Sequence, residues 1–113
     1  MNAFCVAFPV LPGKSEAAKE FAKTLTGPRY KEFETSEKRL KISKEALFLQ
    51  RTPQGDSLMV YFEADDVEKA ATDFARSQDS FDRWFKDQIK AITGIDINQL
   101  GGAPAEQILS YGY

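Results

Sequence analysis

A chain of 113 residues with 42% hydrophobic side chains and a formal net charge of −2 suits one domain with a real core. It has no histidine and a single cysteine, Cys5. The usual general base, the commonest metal ligand and the usual proximal haem ligand are thereby removed, and so is the disulfide framework of a small secreted domain. Lysines and arginines are interspersed with acidic residues, without the clustered basic patch of a nucleic-acid binder.

Asn2 to Val10 alternates: Phe4, Val6, Phe8 and Val10 share one face, and Ala3, Cys5 and Ala7 the other. That period predicts a strand, ended by Pro9 and Leu11-Pro12-Gly13. Lys14 to Leu25 reads as a helix through Ala17, Phe21 and Leu25. Gly27-Pro28 breaks it, because a residue before proline avoids the α region. A second helix then runs to about Lys41, with Tyr30, Phe33, Glu37 and Leu40 in one stripe. Glu34→Lys38 and Glu37→Lys41 are expected as i,i+4 pairs.

Ala46 to Thr52 is a second strand, Pro53-Gln54-Gly55-Asp56 a turn, and Ser57 to Ala64 a third strand, so the two form a hairpin. Asp65 is expected to cap the next helix, with Glu68 three residues on. Its stripe is Val67, Ala70, Ala71 and Phe74. Gln78-Asp79-Ser80 loosens it, and Phe81, Trp84, Phe85, Gln88 and Ile92 continue a stripe to a terminal Gly94. Glu106 to Tyr111 is expected as a fourth strand.

The order β-α-β-β-α-β is the split βαβ of ferredoxin-like α+β domains. A four-stranded antiparallel sheet with helices on one face leaves its other face bare. Cys5, Ala7, Phe48, Gln50, Met59, Tyr61 and Glu63 would line that face, which is too apolar for water. A second copy of the chain is its simplest cover, giving a homodimer. No apolar run approaches the roughly 20 residues that span a bilayer. The N-terminus enters a strand without a secretory pattern, so the expected location is the cytoplasm, with no membrane or nucleic-acid partner.

The opening strand with Val10-Leu11-Pro12-Gly13-Lys14 resembles the start of the dimeric α/β-barrel superfamily, which includes antibiotic-biosynthesis monooxygenases. Three further blocks are similar to a small bacterial family of uncharacterised proteins within it. They are Leu49 to Asp56, Val60 to Asp66, and Phe81-Asp82-Arg83-Trp84-Phe85. The resemblance spans nearly the whole chain and implies two ferredoxin-like protomers packed sheet to sheet, with pockets between sheet and helices. Members include cofactor-independent oxygenases, haem-degrading enzymes, isomerases and proteins without known activity. The haem-degrading members use a histidine that this chain lacks, so that role does not carry over.

Candidate site residues each have a plain reading beside the functional one. Arg51 and Glu63 make either a solvated cross-strand pair or, through Arg51, an anion clamp. Tyr61 and Gln50 satisfy an interface or orient a ligand. Trp84, Phe81 and Phe85 anchor the last helix. Arg29 and Tyr30 follow the Gly27-Pro28 break, where a helix start presents N–H groups to an anion or simply bends for packing. Cys5 lacks a basic neighbour and reads as an inert thiol. The ligand-binding set is thus Tyr30, Arg51, Tyr61, Glu63 and Trp84, with no catalytic residue assigned and neither metal nor cofactor expected. The functions open are a dimer binding a small apolar or anionic molecule, a cofactor-independent monooxygenase or isomerase, and a structural or partner-interaction module.

Overall fold

The computed structural model describes residues 2–99 and 104–112. Its elements are β1 (Asn2–Pro9), α1 (Ser15–Thr26), α2 (Tyr30–Arg39), β2 (Ile42–Thr52), β3 (Gly55–Ala64), α3 (Val67–Arg76), α4 (Ser80–Thr93) and a short 3-10 turn, η1 (Ile97–Gln99). The strands form an antiparallel sheet in the order β1-β3-β2. Tight registers hold it: Phe4 faces Phe62, Val6 faces Val60 and Phe8 faces Leu58 along β1, while Leu47 faces Val60 and Leu49 faces Leu58 along β2. Period two sends those residues to one side. There Phe8 and Leu58 meet Phe21, Leu25, Phe81, Phe85 and Ile89 from the helices. A smaller cluster of Phe62, Ala64 and Ala70 seats α3 on the same side.

Four local rules explain the helix ends. Asp66 caps α3 by accepting from the Lys69 N–H at 3.0 Å. The cap is therefore one residue later than expected, and the Asp65 carbonyl instead accepts from Asn2 Nδ2 at 2.7 Å. Asp79 caps α4, taking the Phe81 and Asp82 N–H groups, so the loosened stretch at 78–80 is a true break between two helices. Gly94 closes α4 at φ 76°, the left-handed conformation that glycine adopts without penalty. At α2 the helix ends at Arg39, short of the expected Lys41, because Lys41 itself turns left-handed at φ 60° to launch β2.

Two expectations change. The second strand begins at Ile42, four residues earlier than its apolar run, and carries a register shift between Ile42 and Lys44. The fourth strand over Glu106 to Tyr111 is not formed: among the described residues the sheet has three strands, and 104–112 has no regular structure. The physical reason is that a strand exists only through its ladder. Here the Ala105 N–H reaches Cys5 O at 2.6 Å, but Ile108, Leu109 and Tyr111 lie exposed.

The open side of the sheet carries Cys5, Ala46, Met59, Tyr61 and Glu63, by the registers Cys5–Tyr61, Ala46–Tyr61 and Phe48–Met59. Phe48 there is 54% exposed. No helix among the described residues is long and apolar enough to cross a membrane.

Candidate functional site

Glu37 stands in the apolar stripe of α2, between Phe33 and Leu40. A charged residue in such a stripe either snorkels out or is buried with a partner. Glu37 takes the second course. The expected Glu37→Lys41 pair does not form, whereas Glu34 and Lys38 do approach, at 3.9 Å. Glu37 instead hydrogen-bonds Glu45 of β2.

The register shift at the start of β2 is what allows this. From Ile42, strict alternation would put Glu45 on the open side. The extra residue resets the phase, as bulges do, so that Lys44 faces Glu63 and Glu45 faces Phe62. Ile42 and Glu45 then both look into a cavity of about 620 Å³ between the sheet and helices. Its walls are mostly apolar, with Phe4, Val6 and Phe62 from the sheet and Phe33, Phe74 and Ile89 from the helices. That volume and a mostly apolar lining with few polar groups are the ordinary features of a small-molecule site.

The electrostatics of the pair follow from its surroundings. Burial disfavours the Glu37 carboxylate, and the neighbouring Glu45 charge, the hydrogen bond to Glu45 and the Asp82 charge add to it, so its pKa is pushed up to about 10. Glu45 is also raised by burial, while the Glu37 hydrogen bond pulls the other way. Burial thus favours the neutral form at both carboxyls, which share a hydrogen bond at the cavity wall.

One helical position before Glu37, Ser36 serves a different carboxylate. It donates to Asp82 Oδ1 at 2.6 Å, Ser77 donates to Oδ2 at 2.6 Å, and Arg39 Nη1 donates to Oδ2 at 2.8 Å. Burial raises the Asp82 pKa, but these bonds outweigh it and the net shift is downward. Nearby, the buried Lys86 ammonium donates to Ala75 O, Ser77 O and Asn98 Oδ1 at 2.7–3.0 Å, tying α3 and η1 to α4. Burial lowers the Lys86 pKa.

The ligand-binding set expected from sequence, Tyr30, Arg51, Tyr61, Glu63 and Trp84, lies outside the cavity walls, whereas Phe85 lines them. Arg51 sits on the helix side near the hairpin turn, facing Asp56, and bonds Glu16 at 3.1 Å. It is no cross-strand partner of Glu63, which faces Lys44 at the other end of the hairpin. Tyr61 donates a short hydrogen bond to Glu63 on the open face. Tyr30 is exposed and donates to Glu34 at 3.3 Å. Trp84 packs with Phe21 and Phe81 beneath the Arg29 guanidinium, whose centre lies 4.3 Å from the indole. Arg29 is held there by two 2.9 Å bonds to Glu32. The structure joins Tyr61 to Glu63 and leaves Arg51, Tyr30 and Trp84 apart. It also adds Glu37 and Glu45, for which the sequence signal was a carboxylate inside an apolar stripe. Among the described residues, no group of three His, Cys, Asp or Glu side chains is placed to hold a metal ion.

Comparison with known proteins agrees with this architecture. The crystal structure of L-rhamnose mutarotase from Formosa agariphila superposes with a TM-score of 0.70 at 15% identity, covering 99% of this chain and 100% of that one. At that identity the likeness establishes the fold, an α+β domain of the ferredoxin-like type. No curated protein matches the chain in sequence. A family model described as Family of unknown function (DUF6176) matches residues 1–100, and the chain belongs to that family.

Proposed function

We propose that this protein binds a small uncharged, hydroxyl-bearing molecule in the cavity between sheet and helices, as a homodimer closed through its open sheet face. The carrying observation is the Glu37–Glu45 pair at the wall of a mostly apolar cavity, whose lining also includes Ser36, Glu68, Thr72, Arg76 and Asn98. When a ligand hydroxyl displaces their mutual hydrogen bond, two carboxyls holding one proton can donate to one ligand oxygen and accept from another. Of the two ligand classes open from sequence, apolar and anionic, the pair favours the uncharged one. An anion would bring a third acidic group against two that already resist ionisation. The half-apolar sheet face, with Phe48, Met59 and Ala46, supports the dimer, in which Tyr61 and Glu63 meet the partner. The lone thiol supports a reducing compartment such as the cytoplasm.

The test is a thermal-shift panel of neutral sugars and cyclic polyols beside carboxylated aromatic compounds. The expected result is a rise in Tm with neutral members, abolished in Glu45→Leu. Shifts with the anionic compounds alone would overturn the ligand class.

The same pair favours a second reading, a cofactor-independent isomerase, and the fold shared with a rhamnose mutarotase supports it. In a cyclic hemiacetal, protonated Glu37 would give its proton to the ring oxygen while Glu45, as carboxylate, takes that of the anomeric hydroxyl. The ring C–O bond breaks and the carbonyl forms. Closure on the other face reverses both transfers and restores the pair. Exchange between α and β anomer signals of L-rhamnose, followed by NMR, should be accelerated by wild type and not by Glu37→Gln or Glu45→Gln. Binding without acceleration would leave the binding reading alone.

A further inference from the structure

Helix α2 packs on β2, and α3 packs on β3 and β1, with β3 between the other two strands. Glu37 and Glu45 therefore stand at one side of the cavity and α3 at the other. Successive residues of a helix turn by about 100°, which sorts the α3 lining into three columns. Val67 and Phe74 pack into the two core clusters. Ala71 and Ala75 come next, half-buried, and their small side chains leave the middle of the wall open. Glu68, Thr72 and Arg76 follow at i, i+4 and i+8. They are exposed and still line the cavity, so they form its rim.

The fold makes no use of that polar column. Lys69 and Asp73, on the outer side of the same helix, bond each other at 2.8 Å. Glu68, Thr72 and Arg76 hold no hydrogen bond or ion pair among the described residues. Together they offer an acceptor, a hydroxyl that both donates and accepts, and a donor, and their two charges cancel. Such a row matches neutral hydroxyl groups, which also donate and accept. The floor between row and carboxyl pair is apolar, with the stacked rings of Phe4 and Phe62 at 4.7 Å. A ring polyol has the complementary form, with hydroxyls round its edge and C–H groups on its faces. We propose that Glu68, Thr72 and Arg76 are the second polar edge of the site, and that they select a ring polyol hydroxylated on opposite edges over a molecule with one hydroxyl. The inference rests on the uncharged-ligand reading above and adds the ligand class and the residues that choose it.

The experiment is an NMR titration of the full-length protein with three uncharged probes. Cyclohexanol has one hydroxyl, whereas myo-inositol and trehalose are hydroxylated all round. Wild type should bind at least one of the two polyols about fivefold or more tighter than cyclohexanol. Thr72→Val/Arg76→Leu should erase that preference by weakening the polyol, with cyclohexanol affinity unchanged. Asp73→Ala breaks the outer pair of the same helix at a residue outside the cavity lining, and should keep the preference. The readout is a ratio between ligands, which a general loosening of α3 would not move. A preference that survives in the double variant overturns the selecting role of the row. Equal binding of cyclohexanol and the polyols by wild type overturns the ligand class. Both results leave the binding reading standing. Failure of all three probes to bind wild type overturns that reading and this one together. Loss of cyclohexanol along with the polyols in the double variant would assign Thr72 and Arg76 to the folding of α3 and overturn the proposal.

Discussion

Two carboxyl sites sit side by side on α2 and have opposite chemistry. Ser36 leads to Asp82, a fully buried carboxylate with three donors, one of them a guanidinium. Glu37 leads to Glu45, two carboxyls with each other for company and an apolar cavity beyond. Both sites are removed from water, so desolvation alone does not separate them. The donors do: Asp82 is stabilised as an anion and Glu37 as an acid. A satisfied buried charge locks elements together, here α2, α4 and the segment after α3. A carboxyl pair pushed toward its neutral form at a cavity wall is a perturbed group of the kind that clusters at functional sites.

The largest expected effect comes from removing the satisfied charge. Asp82→Ala strands the Ser36 and Ser77 hydroxyls and unpairs Arg39 at a buried spot, and should cost about 3 kcal/mol of stability. The check is the urea midpoint at pH 7 with an unchanged slope. A loss below about 1 kcal/mol would mean that α2 and α4 are held by their apolar contacts alone.

The pair should give the opposite response to pH. Glu37 has a folded pKa raised from 4.5 to about 10, so the folded state binds its proton more tightly than the unfolded chain does. The stability it contributes is fully present below about pH 4.5 and is lost progressively as pH rises toward 10. Asp82 has the reverse sign: its folded pKa is lowered from 3.8, so its contribution is present above that value and is lost as pH falls through the folded one. Wild type should therefore lose Tm between pH 6 and 9. Glu37→Gln, which keeps a hydrogen-bond donor and cannot ionise, should flatten that decline while leaving the acid limb in place. A decline of equal slope in Glu37→Gln would show that Glu37 is not the group titrating, and would weaken the proton-sharing basis of the proposed function.

A third carboxylate acts locally. Asp66→Ala should cost about 1 kcal/mol through loss of the α3 cap, while Asp65→Ala, whose contact with Asn2 runs through the backbone carbonyl, should leave stability nearly unchanged. Equal losses at the two positions would restore the cap first expected at Asp65.

That one-residue difference shows where the sequence was legible. Periodic features came through: the alternation of Phe4, Val6 and Phe8, the stripe of Val67, Ala70, Ala71 and Phe74, and the Gly27-Pro28 and Gly94 breaks. Each is a local rule with a local cause. The site was less legible because it depends on a phase reset. Glu45 faces the cavity only because the ladder slips between Ile42 and Lys44, and nothing in Ile42-Ser43-Lys44-Glu45 announces a bulge. Glu37 lay in the apolar stripe in plain view, yet Lys41 four residues on supplied an ordinary partner on paper. The left-handed turn at Lys41 takes that partner away. The fourth strand failed for a non-local reason: Glu106 to Tyr111 has strand-forming residues, but a strand needs a partner ladder, and among the described residues the segment forms none with β1.

The smallest expected effect is at Arg51, and it sharpens the contrast from the exposed side. Arg51 lies six residues from Glu45 on the same strand, about 20 Å away at the usual rise, and its guanidinium bonds Glu16 with both side chains largely in water. Glu16 is held below its ordinary carboxylate pKa by that hydrogen bond first and by Lys19 next. Lys19 lies 3.9 Å from Glu16, so removing Arg51 leaves the carboxylate with a second cation. Exposed ion pairs of this kind contribute little and are screened by salt. Arg51→Ala should therefore leave Tm within experimental error at moderate ionic strength, and should leave any ligand-induced thermal shift intact. The second measurement is the sharper one. If a shift seen in wild type disappears in Arg51→Ala while the fold persists, the ligand reaches the hairpin end of the sheet. The anion clamp would then displace the carboxyl pair as the centre of the site.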